Sequence, residues 1–216
     1  MPSAILFDID GTLVDSNYLH VDAWQRAFAA IGETVPSWRI HRAIGMDSEK
    51  LLDALVPDAD DPARDLATET HERLYQATAD RLRAFHGATE LLEALRASGR
   101  TVALATSAPG EELDLLRRVL RLPEDTDDLV STKSDDVGTA KPDPDIVAVA
   151  LERAGVDAGD AVFVGDAQWD MEAAGRAGVR AIGVLTGGIG ADVLRDAGAA
   201  EVVEDVAALA ESGLLD

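Results

Sequence analysis

Short apolar runs alternate with amphipathic helical patterns along most of this 216-residue chain. Each run is short enough for a strand, and several of the segments between them carry the apolar spacing of helices. This alternation is typical of a parallel sheet that helices cover on both faces. The predicted strands are Ala4–Phe7, Thr101–Ala105, Leu129–Val130, Ala161–Val164, Ala181–Leu185 and Glu201–Val203.

The segment from about residue 16 to residue 86 interrupts this alternation. It has no convincing strand pattern, and its apolar spacing predicts four helices, the last of which contains Leu66 and Leu74. A helical block inserted after the first strand is expected to cover the carboxyl end of that strand, where open α/β sheets bind their ligands. We therefore predict an α/β fold. Its Rossmann-like core comprises residues 1–15 and 87–216, and residues 16–86 form a small all-helical cap with hinges near 14–16 and 86–87.

Two carboxylates follow the first predicted strand. Asp8 and Asp10 come directly after Ala4–Phe7, and residues two apart in an extended segment point the same way. Gly11 permits a sharp turn there. Two like charges this close are costly unless a cation, a shared proton or solvent relieves them. An ordinary Asp-Gly turn has the same sequence, so the pair alone favours a functional site only slightly.

Further polar residues follow other predicted strands or precede a predicted helix. Thr106 and Ser107 follow the second strand, Lys141 precedes a helix, and Asp166 and Asp170 come after the strand that ends at position 164. Alone, each has an ordinary explanation as a capping hydroxyl, a loop lysine or a turn carboxylate. Because the carboxyl ends of parallel strands share one edge of the sheet, their joint occurrence predicts a single site.

The chemistry of these groups is consistent. Oxygen ligands from Asp8, Asp10 and Asp166 suit a hard cation such as Mg²⁺. Lys141 and Thr106 supply a positive charge and a hydroxyl donor for phosphoryl oxygens. A carboxylate two residues from a nucleophilic carboxylate can handle protons for a leaving group.

The whole set resembles the haloacid dehalogenase-like superfamily, and the resemblance covers essentially the whole chain. Asp8-Ile9-Asp10-Gly11-Thr12 resembles its first motif, Thr106 its second, Lys141 its third and Gly165-Asp166 with Asp170 its fourth. The helical insertion is similar to the cap of the subgroup that includes phosphoglycolate phosphatases, sugar phosphatases and β-phosphoglucomutases.

The resemblance implies a magnesium-dependent phosphatase that acts on a small phosphorylated metabolite, phosphoglycolate or a sugar phosphate, through an aspartyl-phosphate. Asp8 would be the nucleophile, and Asp10 would protonate the leaving oxygen and then activate water. Lys141 and Thr106 would hold the phosphate, with the cap closing over it.

The same resemblance implies the binding residues. Asp8, the backbone carbonyl of Asp10 and Asp166 would bind magnesium, with Asp170 as a further or indirect metal partner. The predicted substrate-binding residues are Thr106, Ser107, Lys141, Gly11, His20 and Arg42. For His20 the alternative is an ordinary histidine on a helix face near the domain interface. For Arg42, which lies in a basic cluster with Arg39 and His41, the alternative is a solvated helix face.

Asp10 separates the activities within the superfamily. Halide-releasing and phosphonate-cleaving members lack this second acid, so its presence favours phosphate-ester chemistry. A β-phosphoglucomutase is the alternative enzyme, because Tyr18-Leu19-His20 resembles the start of its cap. Gly165 stands where that family usually has Glu, and no arginine follows Gly45 to hold a second phosphate, so hydrolysis is favoured. A non-catalytic binding protein of this fold is the remaining alternative, although it would not need both acids.

The charge and the absence of cysteine limit the partners. The formal net charge is −22, from 41 acidic and 19 basic residues, so the surface repels nucleic acid and anionic membranes. The chain has no cysteine, which excludes disulfides, thiol catalysis and zinc-thiolate sites. It has no apolar stretch long enough to span a bilayer and begins without a signal-peptide pattern, so we expect a cytoplasmic protein, monomeric or weakly homodimeric.

Overall fold

The computed structural model describes residues 1–123, 125, 128–132 and 141–216. Its sheet has six strands, all paired in parallel, in the order β3-β2-β1-β4-β5-β6. The predicted parallel sheet is therefore confirmed, with boundaries that differ by one or two residues. The strands are β1 Ala4–Phe7, β2 Thr101–Ala105, β3 Leu129–Thr132, β4 Ala161–Gly165, β5 Arg180–Val184 and β6 Glu201–Val203.

Alternate residues of β1 enter two separate apolar layers. The helices that cover the sheet are α5 Ala88–Ala97, α6 Gly110–Val119, α7 Asp145–Ala154, α8 Gln168–Arg176, α9 Ala191–Asp196 and α10 Val206–Glu211. Ile5 and Phe7 pack among the apolar residues of α5, α6 and α10, whereas Ala4 and Leu6 pack among those of α7, α8 and α9. Successive side chains of a strand point to opposite faces, so both faces are covered and all four residues are fully buried.

The four helices predicted between β1 and α5 are also found. They are α1 Asn17–Ala30, α2 Ser37–Ala43, α3 Ser48–Leu55 and α4 Asp61–Gln76. They enclose a small apolar layer of their own, which includes Trp24, Phe28 and Ile40. The side chains that α4 buries are not simply its leucines. Leu66 is 46% exposed, whereas His71 and Tyr75 are buried.

The two chain segments that join the cap helices to the core pair with each other. The Asp15 amide donates to the Arg83 carbonyl and the Phe85 amide to the Leu13 carbonyl, both at 2.9 Å. Val14 and Ala84 form an antiparallel bridge between these two hydrogen bonds. The segments lie close to the predicted hinges, and the domain boundary itself stays a prediction.

Cap and core also meet through side chains beyond these segments. The Lys50 ammonium lies 2.6 Å from the Asp143 carboxylate. The Trp169 indole donates to the Arg42 carbonyl at 3.2 Å, and the His41 ring is hydrogen-bonded to the Gly187 carbonyl at 2.7 Å. The cap is therefore seated on the carboxyl ends of the strands. Within the described ranges, no helix is both long and apolar enough to cross a bilayer.

Candidate active site

The central strands converge on one edge of the sheet. Because β2 and β4 flank β1, the residues that follow these strands, Thr106, Asp166 and Asp8, become neighbours. The Asp8 amide donates to the Val164 carbonyl at 2.9 Å, which continues the β1–β4 ladder one residue past the strand. The predicted grouping of these side chains follows directly from strand order.

Lys141 lies beneath this edge and is 1% exposed. Its ammonium is 2.5 Å from Asp8 Oδ1 and 2.8 Å from Asp170 Oδ1. Burial alone lowers the pKa of Lys141, but the charges of Asp170 and Asp8 outweigh it and raise that pKa. The lysine therefore stays cationic next to the Asp8 carboxylate.

Asp166 is held by two side chains that were not among the predicted site residues. Thr12 donates its hydroxyl to Oδ1 at 2.8 Å, and Asn17 donates its amide to Oδ2 at 2.9 Å. Thr12 belongs to the first motif, which was a usable signal, but nothing local connects Asn17 with a residue 149 positions away. Each Asp166 oxygen keeps a free lone pair, so these donors orient the carboxylate without consuming it.

The cluster of acids at this edge carries more negative charge than the single ammonium of Lys141 neutralises. One carboxylate oxygen from each of Asp8, Asp166 and Asp170 lies within 4.8 Å of the others. Burial, followed by the charge of Asp170, raises the pKa of Asp166 to about 7. Burial also raises the pKa of Asp8, although Lys141 opposes it. A hard divalent cation with oxygen ligands would relieve this excess, so the residues fit magnesium.

Asp170 is the least available of the three acids to a cation. Its Oδ1 pairs with Lys141, and its Oδ2 accepts the Ala167 amide at 3.0 Å. With both oxygens engaged, Asp170 positions the lysine and the start of α8. An indirect contact to a metal fits this geometry better than direct ligation.

The Asp10 side chain points towards the cap. Its Oδ1 accepts the Ser16 hydroxyl at 2.6 Å and the Tyr75 hydroxyl at 3.3 Å, and the His20 ring lies at 3.4 Å. Burial alone raises the pKa of Asp10, but hydrogen bonds from His20, Ser16 and Tyr75 outweigh it and lower that pKa. This carboxylate groups with His20 and Glu112 rather than with Asp8 and Asp166. Binding of the metal by the backbone carbonyl of Asp10 stays a prediction.

Two of the predicted phosphate-binding residues, Thr106 and Ser107, line a cavity together with Asp8 and Asp10. Thr106 is 1% exposed, and its Oγ1 accepts the Ala108 amide at 3.0 Å, which leaves its hydroxyl proton free to donate. The Ser107 hydroxyl oxygen is buried and has no hydrogen-bond partner among the described residues. Gly11 has a φ of +78°, and a Cβ there would lie 2.2 Å from the Asn17 amide nitrogen. Only glycine fits that turn.

Comparison with known proteins agrees with this geometry. The family model of haloacid dehalogenase-like hydrolases matches residues 5–184. The chain belongs to the haloacid dehalogenase-like hydrolases. A phosphorylated carbohydrates phosphatase from Thermotoga maritima is 30% identical over 204 residues, covering 93% of this chain and 94% of that protein. A phosphoglycolate phosphatase from Rhodospirillum rubrum is 30% identical over 221 residues, covering 98% and 90%.

A solved structure shares the fold closely. The crystal structure of a hydrolase from Pseudomonas syringae superposes with a TM-score of 0.93 at 34% identity and covers 97% of both chains. The sheet, the core helices and the cap described above therefore form the architecture of this haloacid dehalogenase-like hydrolase.

The two cap residues predicted to bind substrate, His20 and Arg42, differ in whether they reach the cavity. His20 lies on α1, lines the cavity and stacks on the Tyr75 ring with centroids 3.9 Å apart. Burial alone lowers the pKa of His20, but Asp10 and Glu112 outweigh it and raise that pKa. Arg42 is exposed, does not line the cavity and contributes its backbone carbonyl to Trp169. The structure therefore brings His20 to the site and leaves Arg42 outside it.

Glu112 also lines this cavity, and sequence reasoning missed it. It lies in the first turn of α6, where an acidic residue is common because it complements the helix dipole. Nothing in the sequence separates it from its exposed neighbour Glu111.

Proposed function

We propose that this chain is a magnesium-dependent phosphatase that hydrolyses small phosphate monoesters through an aspartyl-phosphate on Asp8. The observation that supports this best is the Lys141 ammonium, held 2.5 Å from Asp8 Oδ1 beneath a cavity that Asp10 also lines. A protein that only bound phosphate would not need both acids. Here Asp8 lies beside a lysine, and Asp10 accepts hydrogen bonds from hydroxyl groups.

The proposed reaction has two displacements. An Asp8 oxygen attacks phosphorus while the bond to the leaving oxygen breaks, and Asp10 gives that oxygen a proton. Asp10 then takes a proton from water, whose oxygen attacks the same phosphorus and frees Asp8 and inorganic phosphate. Lys141, Thr106 and Ser107 hold the phosphoryl oxygens. Magnesium, when bound by Asp8 and Asp166, would neutralise part of the negative charge at this edge.

The low pKa of Asp10 fits its second role directly, since an ionised carboxylate is ready to accept a proton from water. Its first role requires a proton on the carboxyl group. A substrate dianion arriving beside Asp10 opposes its ionisation and raises its pKa, which favours that protonation.

The mutase alternative receives no support from this geometry. A Cβ at Gly165 would lie 2.5 Å from Asp170 Oδ2, so a larger side chain at this position would displace the carboxylate that pairs with Lys141. None of the described residues that line the cavity is an arginine that could hold a second phosphate.

The names of the relatives point to two substrate classes, phosphorylated carbohydrates and phosphoglycolate. We take the substrate of this chain to be a small phosphorylated metabolite from one of them. The cytoplasmic location and the monomeric or weakly homodimeric state stay predictions.

Substitution Asp8→Asn tests the nucleophile. Because an amide cannot form the acyl phosphate, we expect the release of phosphate from an aryl phosphate to fall by more than about 10³-fold, with an unchanged circular dichroism spectrum. Asp15→Asn is the matched control, because it removes the same charge at an exposed position nearby and should keep full activity.

Chelation tests the cation in the same assay. EDTA should abolish phosphate release from the wild-type protein, and excess Mg²⁺ should restore it. Full activity in Asp8→Asn, or in thoroughly chelated buffer, would contradict the proposed function.

A further inference from the structure

The cavity above Asp8 has a second side, away from the predicted phosphate-binding groups. In the proposed reaction the leaving alcohol would lie there. Cap helices α1, α3 and α4 and core helix α6 contribute its walls, including His20, Trp24, His71 and Glu112. Neither lysine nor arginine occurs among the described residues that line the cavity. Its charged lining groups include the carboxylates of Asp10, Asp47 and Glu112, whose negative charge the His20 imidazolium only partly offsets. This side therefore presents acceptors and an excess of negative charge.

Glu112 is buried there without a donor of its own. It is 8% exposed, and within the described residues its carboxyl group has an ion-pair contact with His20 but no hydrogen bond. Its nearest charged partner is His20, whose Nε2 lies 3.6 Å from Oε1. A buried carboxylate normally accepts several hydrogen bonds, and because Glu112 lines the cavity its lone pairs are free to accept them from a molecule bound there. The ionised form is correspondingly disfavoured, and burial raises the pKa of Glu112 to about 7.

The position of Glu112 next to Asp10 sets which part of a bound ester its carboxyl group can reach. The nearest oxygens of the two carboxyl groups lie within 4.8 Å of each other, and both lie near His20 Nε2, at 3.4 Å for Asp10 and 3.6 Å for Glu112. In the proposed function Asp10 protonates the leaving oxygen. The carbon atoms attached to that oxygen, and the polar groups they carry, therefore come within reach of Glu112.

We propose that Glu112 determines specificity by accepting hydrogen bonds from hydroxyl groups of the leaving alcohol. The site then selects monophosphates of sugars and other polyols and rejects esters whose leaving alcohol carries a second anion. In phosphoglycolate that anion is a carboxylate attached to the carbon that bears the ester oxygen, so it would be forced against Asp10 and Glu112. Two buried like charges at that separation oppose binding. This inference rests on the proposed phosphatase function.

The test compares two esters of similar length, glycerol 1-phosphate and phosphoglycolate, as the ratio of their kcat/KM values. We expect the wild-type protein to prefer glycerol 1-phosphate and Glu112→Gln to lower the ratio by about 10- to 100-fold, the effect of losing one hydrogen bond to a charged acceptor together with one repulsion. Because both values come from one preparation, a partly unfolded variant does not alter the ratio.

Glu111→Gln is the matched control. Glu111 lies in the same turn of α6, and its substitution removes the same charge, but its side chain is exposed and contacts Gln76 rather than the cavity. We expect its ratio to stay within about twofold of the wild-type value, since exposed charges interact weakly.

The outcomes separate the two proposals. An unchanged ratio in Glu112→Gln, a wild-type preference for phosphoglycolate, or faster turnover of ethanolamine phosphate than of glycerol 1-phosphate would overturn the role of Glu112 alone. A wild-type protein that also fails to hydrolyse an aryl phosphate would contradict the phosphatase function, and the inference about Glu112 would be rejected with it.

Discussion

At the level of single residues, the two aspartates that follow β1 have different partners. Asp8 pairs with Lys141 below the cavity, whereas Asp10 accepts hydrogen bonds from Ser16 and Tyr75 on the cap side. The difference gives the two acids distinct environments. Asp8 is a carboxylate beside the lysine cation, and Asp10 is a carboxylate that accepts hydrogen bonds from several donors.

Substitution Asp10→Asn tests the proton-transfer role. We expect turnover to fall by about 10²- to 10⁴-fold, since an amide neither protonates the leaving oxygen nor activates water. The loss should be largest for alkyl phosphates and smallest for p-nitrophenyl phosphate, whose leaving group needs little protonation. The measurement is kcat/KM across leaving groups of graded pKa, and an equal loss across the series would argue against Asp10 as the acid.

At the scale of elements, the short turn after β5 restrains a predicted metal ligand. The 3₁₀ turn Leu185–Gly187 passes directly over Asp166, and the Thr186 hydroxyl donates to the Gly11 carbonyl at 2.5 Å. A Cβ at Gly187 would lie 1.7 Å from Asp166 Oδ2. The turn therefore closes on Asp166 so tightly that any side chain at position 187 must displace it.

Substitution Gly187→Ala is expected to shift Asp166 and weaken the cation site. The Mg²⁺ concentration for half-maximal activity should rise by about 10- to 100-fold, the usual effect of disturbing the support of a metal ligand. The control is Gly190→Ala on the same segment, where a Cβ would meet no atom within 4 Å. If both variants show the wild-type Mg²⁺ dependence, the turn does not hold Asp166 in place.

At the scale of the whole molecule, the net charge of −22 opposes compaction. Surface ion pairs such as Arg26 with Asp22 offset little of this repulsion, since exposed pairs contribute about 0–1 kcal/mol each. Long-range repulsion among the excess carboxylates is therefore expected to dominate the salt dependence of stability.

Thermal unfolding at neutral pH tests this expectation. Raising NaCl to about 0.5 M shortens the screening length to about 4 Å and should raise Tm by about 2–4 °C, equivalent to about 1 kcal/mol in a chain of this size. Near the sequence pI of about 4.3 the net charge is close to zero, so the same salt should have little effect. A Tm that falls with salt at neutral pH would mean that local ion pairs outweigh the net repulsion.

Much of the architecture was predictable because its determinants are local. The buried strands of a parallel sheet are continuous apolar runs, and the four helices of the cap carry their own apolar spacing and N-terminal signals such as Asp47. The fold class predicted from these patterns is confirmed. The roles of the predicted site residues stay predictions, although the structure brings all of them except Arg42 to one edge of the sheet.

Other features depended on which distant segments come together. Helix α4 turns Leu66 to solvent and buries His71, because its inward face meets α1 and the cavity rather than an apolar layer alone. No local pattern connects Asn17 with Asp166, or distinguishes Glu112 from Glu111.

The sheet, the inserted helices, the acids at the strand ends and the lysine before α7 follow from local sequence, because periodicity and turn chemistry act over a few residues. Which side chains support those groups, and which carboxylates line the cavity, became visible in the folded molecule alone. Such contacts join residues far apart in the chain, and their energies depend on burial and distance that no local pattern contains.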